Sequence, residues 1–94
     1  MKDFKIKINN KNWQVRFVNS RQISRDSWGE CDYPNVKYPK INIYKNQTKR
    51  NIVNTLIHEV LHAVRPELCE EAITETADIL ERALNKIGYE IDLE

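Results

Sequence analysis

The hydrophobic period of this sequence changes once, near residue 48, and this change constrains the fold more than any other feature. Before it, residues 4–8, 13–18 and 40–44 alternate apolar and polar side chains with the period of two that is typical of β-strands. After it, apolar residues recur at the spacings of an α-helix. The sequence therefore predicts an α+β fold in which a small N-terminal mixed β-sheet, made of a hairpin plus one or two strands, packs on two C-terminal helices.

The ends of the two helices are predicted from capping residues and prolines. The first helix is expected to begin near Asn46 or Thr48, because both residue types favour the N-cap position, and to end before Pro66. The second is expected to begin around Pro66 and to stop at Gly88. Its apolar stripe consists of Ile73, Ala77, Leu80, Leu84 and Ile87. The tail, residues 89–94, is expected to pair as an edge strand or to fray.

Length and charge restrict the class of protein. A chain of 94 residues has room for one domain with a modest core. Its formal charge of +1 favours neither nucleic acid nor an anionic membrane as a partner, although basic residues are concentrated in residues 1–50. The N-terminal segment lacks the apolar core of a signal peptide, which predicts a cytoplasmic location. There Cys31 and Cys69 would remain thiols.

The first predicted helix contains an HExxH motif, His58-Glu59-Val-Leu-His62. One helical turn separates the histidines, so both imidazoles project from the same face and can bind one Zn²⁺ ion. Glu59 lies beside them, where it can take a proton from water. The alternative is that all three are packed polar residues. Because this helix is apolar over much of its circumference, burying them without a ligand would cost roughly several kcal/mol, and a metal removes that cost.

A catalytic zinc usually takes three protein ligands and keeps a fourth position for water, and the sequence contains no third histidine. An acid or a cysteine must therefore complete the set. The downstream candidates are Cys69, Glu70, Glu71, Glu75 and Asp78. Glu71, Glu75 and Asp78 form an i, i+4, i+7 row, so one of them can bind the metal while its neighbour orients a histidine. A solvated acidic face explains the same row for any single member.

The HExxH motif, followed on the next helix by Glu71-Ala-Ile-Thr-Glu75, resembles the glutamate-type zincins, or gluzincins, of the thermolysin kind. The resemblance implies that residues 1–94 form a single zincin-like metallopeptidase domain. It also implies that Glu71 is the third zinc ligand and that Glu75 is the acid that holds His58, although the family more often has Asp at the latter position. The strand-rich first half leading into HExxH is similar to short zincin-like proteins of phages and bacteria.

Together these features predict a zinc-dependent hydrolase, specifically a metallopeptidase, in which His58, His62 and Glu71 bind zinc and Glu59 is the general base. Its substrate is predicted to be a peptide or protein, and in a zincin the strand of residues 41–43 would lie near the cleft and pair with it. One alternative is a zinc-binding interaction or regulatory module, of the phage accessory type, without turnover. Another is a nucleic-acid-associated protein that binds through its basic first half and uses zinc structurally.

Overall fold

The computed structural model of the chain describes residues 1–89. Its elements in chain order are β1 (Phe4–Ile8), β2 (Lys11–Val18), β3 (Gly29–Cys31), β4 (Lys40–Tyr44), α1 (Lys49–Val64) and α2 (Glu70–Lys86). The predicted α+β class is confirmed, since one four-stranded mixed sheet precedes two helices. The tail, for which an edge strand or fraying is predicted, lies outside the described residues from position 90 onward.

The predicted hairpin of β1 and β2 forms around a two-residue turn at Asn9 and Asn10. Both residues have positive φ angles, 49° and 66°. Asparagine tolerates this left-handed conformation better than most residues, and the turn type that uses it matches the twist of a hairpin. Ile8 then pairs with Lys11, and the antiparallel ladder continues along the whole of β1.

The order of strands in the sheet is β1-β2-β4-β3. Strand β4 runs parallel to β2 on one side and antiparallel to β3 on the other, so both of its edges are paired. The prediction that residues 41–43 pair with a substrate is therefore wrong, because β3 already occupies the free side of that strand. Within residues 1–89, the edge strand on this side of the sheet is β3.

One face of the sheet packs on α1, which contacts both β3 and β4. Val15, Ile41 and Ile43 are completely buried there. Burial of each such side chain contributes roughly 1.5–3 kcal/mol to folding. The register places Cys31 opposite Ile41 and Gly29 opposite Ile43, and opposed residues share a face. The edge strand therefore also turns Gly29 and Cys31 toward the helix.

Thr48 caps α1, as its residue type predicts: its Oγ1 accepts a hydrogen bond from the N–H of Asn51 at 3.2 Å. The helix ends at Val64, two residues before Pro66, in agreement with the effect of a proline on the preceding residue. The helix residues that are buried are Ile52, Thr55, Glu59 and Ala63. Their spacing follows one face of the helix, and Glu59 is the only ionisable residue among them.

The second helix begins at Glu70, so the prediction of a start around Pro66 is wrong. Arg65 has φ −134° and ψ 73° and serves as the C-cap of α1, which leaves Pro66 in a turn rather than in a new helix. Within that turn the N–H of Leu68 donates to the carbonyl of Arg65 at 3.1 Å. Cys69 then adopts the extended backbone of an N-cap, with φ −71° and ψ 156°.

The second helix packs against α1, and its two buried side chains are Ile73 and Ala77. Leu80 and Ile87 are 44% and 79% exposed, so the predicted apolar stripe is buried only in its N-terminal half. Across residues 1–89, neither helix combines the length and the apolar character that crossing a lipid bilayer requires.

Candidate metal centre and cleft

The two histidines of the motif lie next to each other on α1. The centroids of their rings are 5.0 Å apart and the ring planes meet at 62°, as expected for residues one helical turn apart. The side chains of His58 and His62 are 19% and 28% exposed. They therefore flank the buried face of the helix and open into a cleft at the molecular surface.

The acid that meets both imidazoles is Glu70, the first residue of α2. Its Oε1 lies 2.6 Å from Nε2 of His58, and its Oε2 lies 3.0 Å from Nε2 of His62. Among residues 1–89, His58, His62 and Glu70 are the one group of three side chains whose donor atoms, all within 4.8 Å of one another, could hold a metal ion.

Glu71 and Glu75, which the resemblance assigns as the third ligand and the acid that holds His58, are both exposed and lie outside this group. The glutamate that meets both imidazoles is instead Glu70. Neighbouring residues on an α-helix point about 100° apart, so only one of two adjacent glutamates can face the imidazoles. The late start of α2 places that one at its first position, where a carboxylate is also favoured by the helix dipole.

The group fits zinc by the chemistry of its donors. Two imidazole nitrogens and a carboxylate form a set that catalytic zinc sites use. In a tetrahedral site, ligands bound at about 2.0–2.1 Å lie roughly 3.3 Å from one another. The nitrogen–oxygen distances of 2.6 and 3.0 Å, which involve the two different oxygens of Glu70, are shorter than this value. Small rotations of Glu70, whose side chain is 67% exposed, would complete three of the four positions.

Glu59 lies on the sheet side of the same cleft and is only 7% exposed. Burial raises the pKa of its carboxyl from 4.5 to about 7, and the charges of Glu70 and Glu30 add to this effect while His58 opposes it. A carboxyl group with a pKa near neutrality can both accept and release a proton. The HExxH glutamate therefore has the environment expected of a proton carrier.

The cleft has a volume of about 580 Å³. It is formed by α1, by the turn before α2 together with Glu70 at the start of α2, and by the edge strand β3 with its flanking residues. Trp28 and Tyr33, at the two ends of this edge, are 57% and 77% exposed. The hydrogen bonds from Tyr44 N–H to the Trp28 carbonyl and from Asp32 N–H to the Lys40 carbonyl fix which groups of β3 face its partner strand. Because main-chain groups alternate in direction along a strand, the N–H and carbonyl groups of Gly29 and Cys31 point away from β4.

Comparison with family models, with curated proteins and with solved structures finds no match to this chain. The interpretation of the site therefore depends on its own residues. Two of these residues were not singled out by the sequence pattern. Glu70 is one of five acidic or thiol candidates and lies outside the i, i+4, i+7 row that includes Glu71, and Gly29 has no sequence feature that indicates a role in the site.

Proposed function

We propose that this protein is a zinc-dependent hydrolase that cleaves peptide bonds. The observation that carries the proposal is the convergence of His58, His62 and Glu70 above a buried Glu59 in one cleft. In this proposal the first three residues hold the metal and Glu59 handles the proton. The gluzincin resemblance agrees with this division of roles, with Glu70 in the position that the resemblance gives to Glu71.

Zinc bound by these three residues would supply a Lewis acid that lowers the pKa of water and polarises a carbonyl group. The protein's own contribution is the placement of acids. The carboxylate of Glu70 offers its oxygens to the metal, while that of Glu59 faces the cleft from the opposite side. Glu59 accepts the proton that water releases and returns it to the amine that leaves.

The shape of the cleft supports an extended peptide as the substrate. Strand β3 forms the edge of the sheet along the cleft, and the outward main-chain groups of Gly29 and Cys31 are available to a further strand. A peptide added to this edge would gain main-chain hydrogen bonds independent of its sequence. Exposed Trp28 and Tyr33 lie where they can contact its side chains.

The test combines metal content with turnover. We expect protein purified without added metal, or reconstituted with zinc, to hold one equivalent, and His58→Ala to lose it. We expect Glu59→Gln to keep the zinc and to lower kcat for peptide hydrolysis by about 10²–10⁴-fold, the usual contribution of a general base. A wild type that holds no zinc after reconstitution would contradict the whole proposal.

Zinc binding without Glu59-dependent turnover would instead support a zinc-binding interaction or regulatory module. Binding to nucleic acid that weakens steeply with salt would support the nucleic-acid alternative. We also propose a cytoplasmic location for the protein. The two cysteines, both within the described residues, are free thiols.

A further inference from the structure

The chain contains two glycines, and they serve different purposes. Gly88 has φ +80°, and no atom of residues 1–89 lies within 4 Å of the point where a Cβ would lie. It is therefore required for a left-handed backbone at the end of α2. Gly29 has no such backbone conformation, yet a Cβ there would meet other atoms at very short distances. Gly29 is required because a side chain at this position would overlap neighbouring atoms.

The atoms that fill this space belong to α1. A Cβ at position 29 would lie 2.6 Å from Cγ2 of Thr55, 2.9 Å from Oε2 of Glu59 and 3.0 Å from Cγ of Glu59. Distances below 3.0 Å are not tolerated, so any side chain at position 29 would displace one or both of these residues. The carboxylate of Glu59 thus lies in the volume that every other residue type would occupy.

We propose that Gly29 is the positioning residue for Glu59: by lacking a side chain, the edge strand allows the buried carboxylate to lie close against its backbone, on the sheet side of the cleft that His58 and His62 also line. This inference rests on the proposed function. Strand β3 then has two roles in one element, since its outer edge faces the substrate and Gly29 fixes the base.

The test is Gly29→Ala, compared with Thr55→Ser and with Gly29→Ala/Thr55→Ser. Serine removes Cγ2, the nearest obstacle, but keeps the hydroxyl that donates to Oε1 of Gln47. Thr55→Ser alone is expected to resemble the wild type. Gly29→Ala is expected to lower kcat for peptide hydrolysis by about 10- to 100-fold, the effect of a shift of about 1 Å in a catalytic group. The Kd for zinc should change less than about threefold, because the ligands are on other residues.

The double variant separates positioning from packing. If the loss of kcat in Gly29→Ala comes from displacement of Glu59, adding Thr55→Ser will restore the melting temperature without restoring kcat. Recovery of kcat in the double variant would overturn the proposal, because the effect would then come from displacement of the helix through Thr55. An unchanged kcat in Gly29→Ala would overturn it as well.

A readout without turnover distinguishes this inference from the proposed function. Co²⁺ is bound in place of zinc, and its visible absorption spectrum is compared in wild type, Glu59→Gln and Gly29→Ala. We expect Gly29→Ala to change the spectrum in the same direction as Glu59→Gln. A wild type that binds cobalt but cleaves no peptide would refute only the proposed activity. A Gly29→Ala spectrum identical to wild type, while Glu59→Gln differs, would refute the positioning role, and a wild type that binds no metal would refute both.

Discussion

On the sheet side of the cleft, Glu59 is 7% exposed and lies in the space left by Gly29, whereas on the α2 side, Glu70 is 67% exposed and meets the two imidazoles. The first carboxylate is held by packing. The second is on the surface, where an ion pair typically contributes only about 0–1 kcal/mol. The position of Glu70 therefore depends on its contacts with the imidazoles and, in the proposed site, on the metal.

This difference suits the two proposed roles. A general base must be held near its target before the reaction, and a packed interior does that without help from a ligand. A ligand carboxylate must instead move by a fraction of an ångström when the metal enters, and an exposed side chain can do so. Holding Glu59 by packing has a free-energy cost, because burial of its carboxylate disfavours the charged form.

The largest expected effect on the α2 side comes from Glu70→Gln, with Glu71→Gln as its matched control. Loss of a direct ligand should raise the Kd for zinc by more than the roughly 10- to 100-fold that outer contacts contribute. Because Glu71 is exposed and outside the donor group, its substitution should leave the Kd within about twofold. Competition with a chromophoric zinc chelator measures both values.

The opposite result, a zinc Kd that rises in Glu71→Gln and not in Glu70→Gln, would restore the assignment made from the gluzincin resemblance. It would also mean that α2 rotates when the metal binds. A loss of affinity in both variants would point to the negative charge of this helix terminus rather than to one ligand.

The choice between these two glutamates shows how far the sequence could predict the site. His58, Glu59 and His62 are placed by the internal geometry of one helix, and the periodicity of that helix is plain in the sequence. Which glutamate of α2 meets the imidazoles depends on the rotation of α2 relative to α1, which is set by the turn after Arg65. No period in the sequence specifies that turn, so the start of α2 was predicted too early, and the glutamate that meets both imidazoles is Glu70 rather than its neighbour Glu71.

The strands show the same division between local and nonlocal information. Three of the four, β1, β2 and β4, were predicted from alternation and turn residues, because those patterns act over a few residues. Which strand lies at the edge depends on long-range pairing, and the chain places β4 between β2 and β3. The role of Gly29 also required the structure, since the atoms it accommodates are 26 and 30 positions away in sequence, at Thr55 and Glu59.

A smaller effect is expected in the pH dependence of stability of the metal-free protein. Because the pKa of Glu59 is raised from 4.5 to about 7 in the folded state, the folded protein retains a proton that the unfolded chain loses across this interval. The free energy of unfolding should therefore fall as pH rises from about 4.5 to 7. Gln at position 59 does not titrate, so the wild type should lose stability relative to Glu59→Gln over the same pH range.

Urea unfolding with a chelator present, at several pH values, measures this difference. The titratable groups that act on Glu59, namely His58, Glu30 and Glu70, are present in both proteins, so their own contributions largely cancel in the comparison. A difference between the two proteins that stays constant from pH 4.5 to 7 would show that the Glu59 carboxyl is more solvated than its burial indicates. That outcome would weaken the contrast between the two sides of the cleft.

The smallest expected effect concerns the two cysteines, one on β3 and one just before α2. Cys31 on β3 is partly buried, and burial, with the nearby charges of Glu59 and Asp32, raises the pKa of its thiol to about 12. Cys69, which precedes α2, is exposed. Because thiolate is the reactive form, iodoacetamide at pH 8 should alkylate Cys69 many times faster than Cys31. Mass spectrometry of wild type, Cys31→Ser and Cys69→Ser assigns each alkylation rate. Equal rates would mean that β3 separates from α1 often enough to expose Cys31. Packing against that strand could then not hold Glu59 in place.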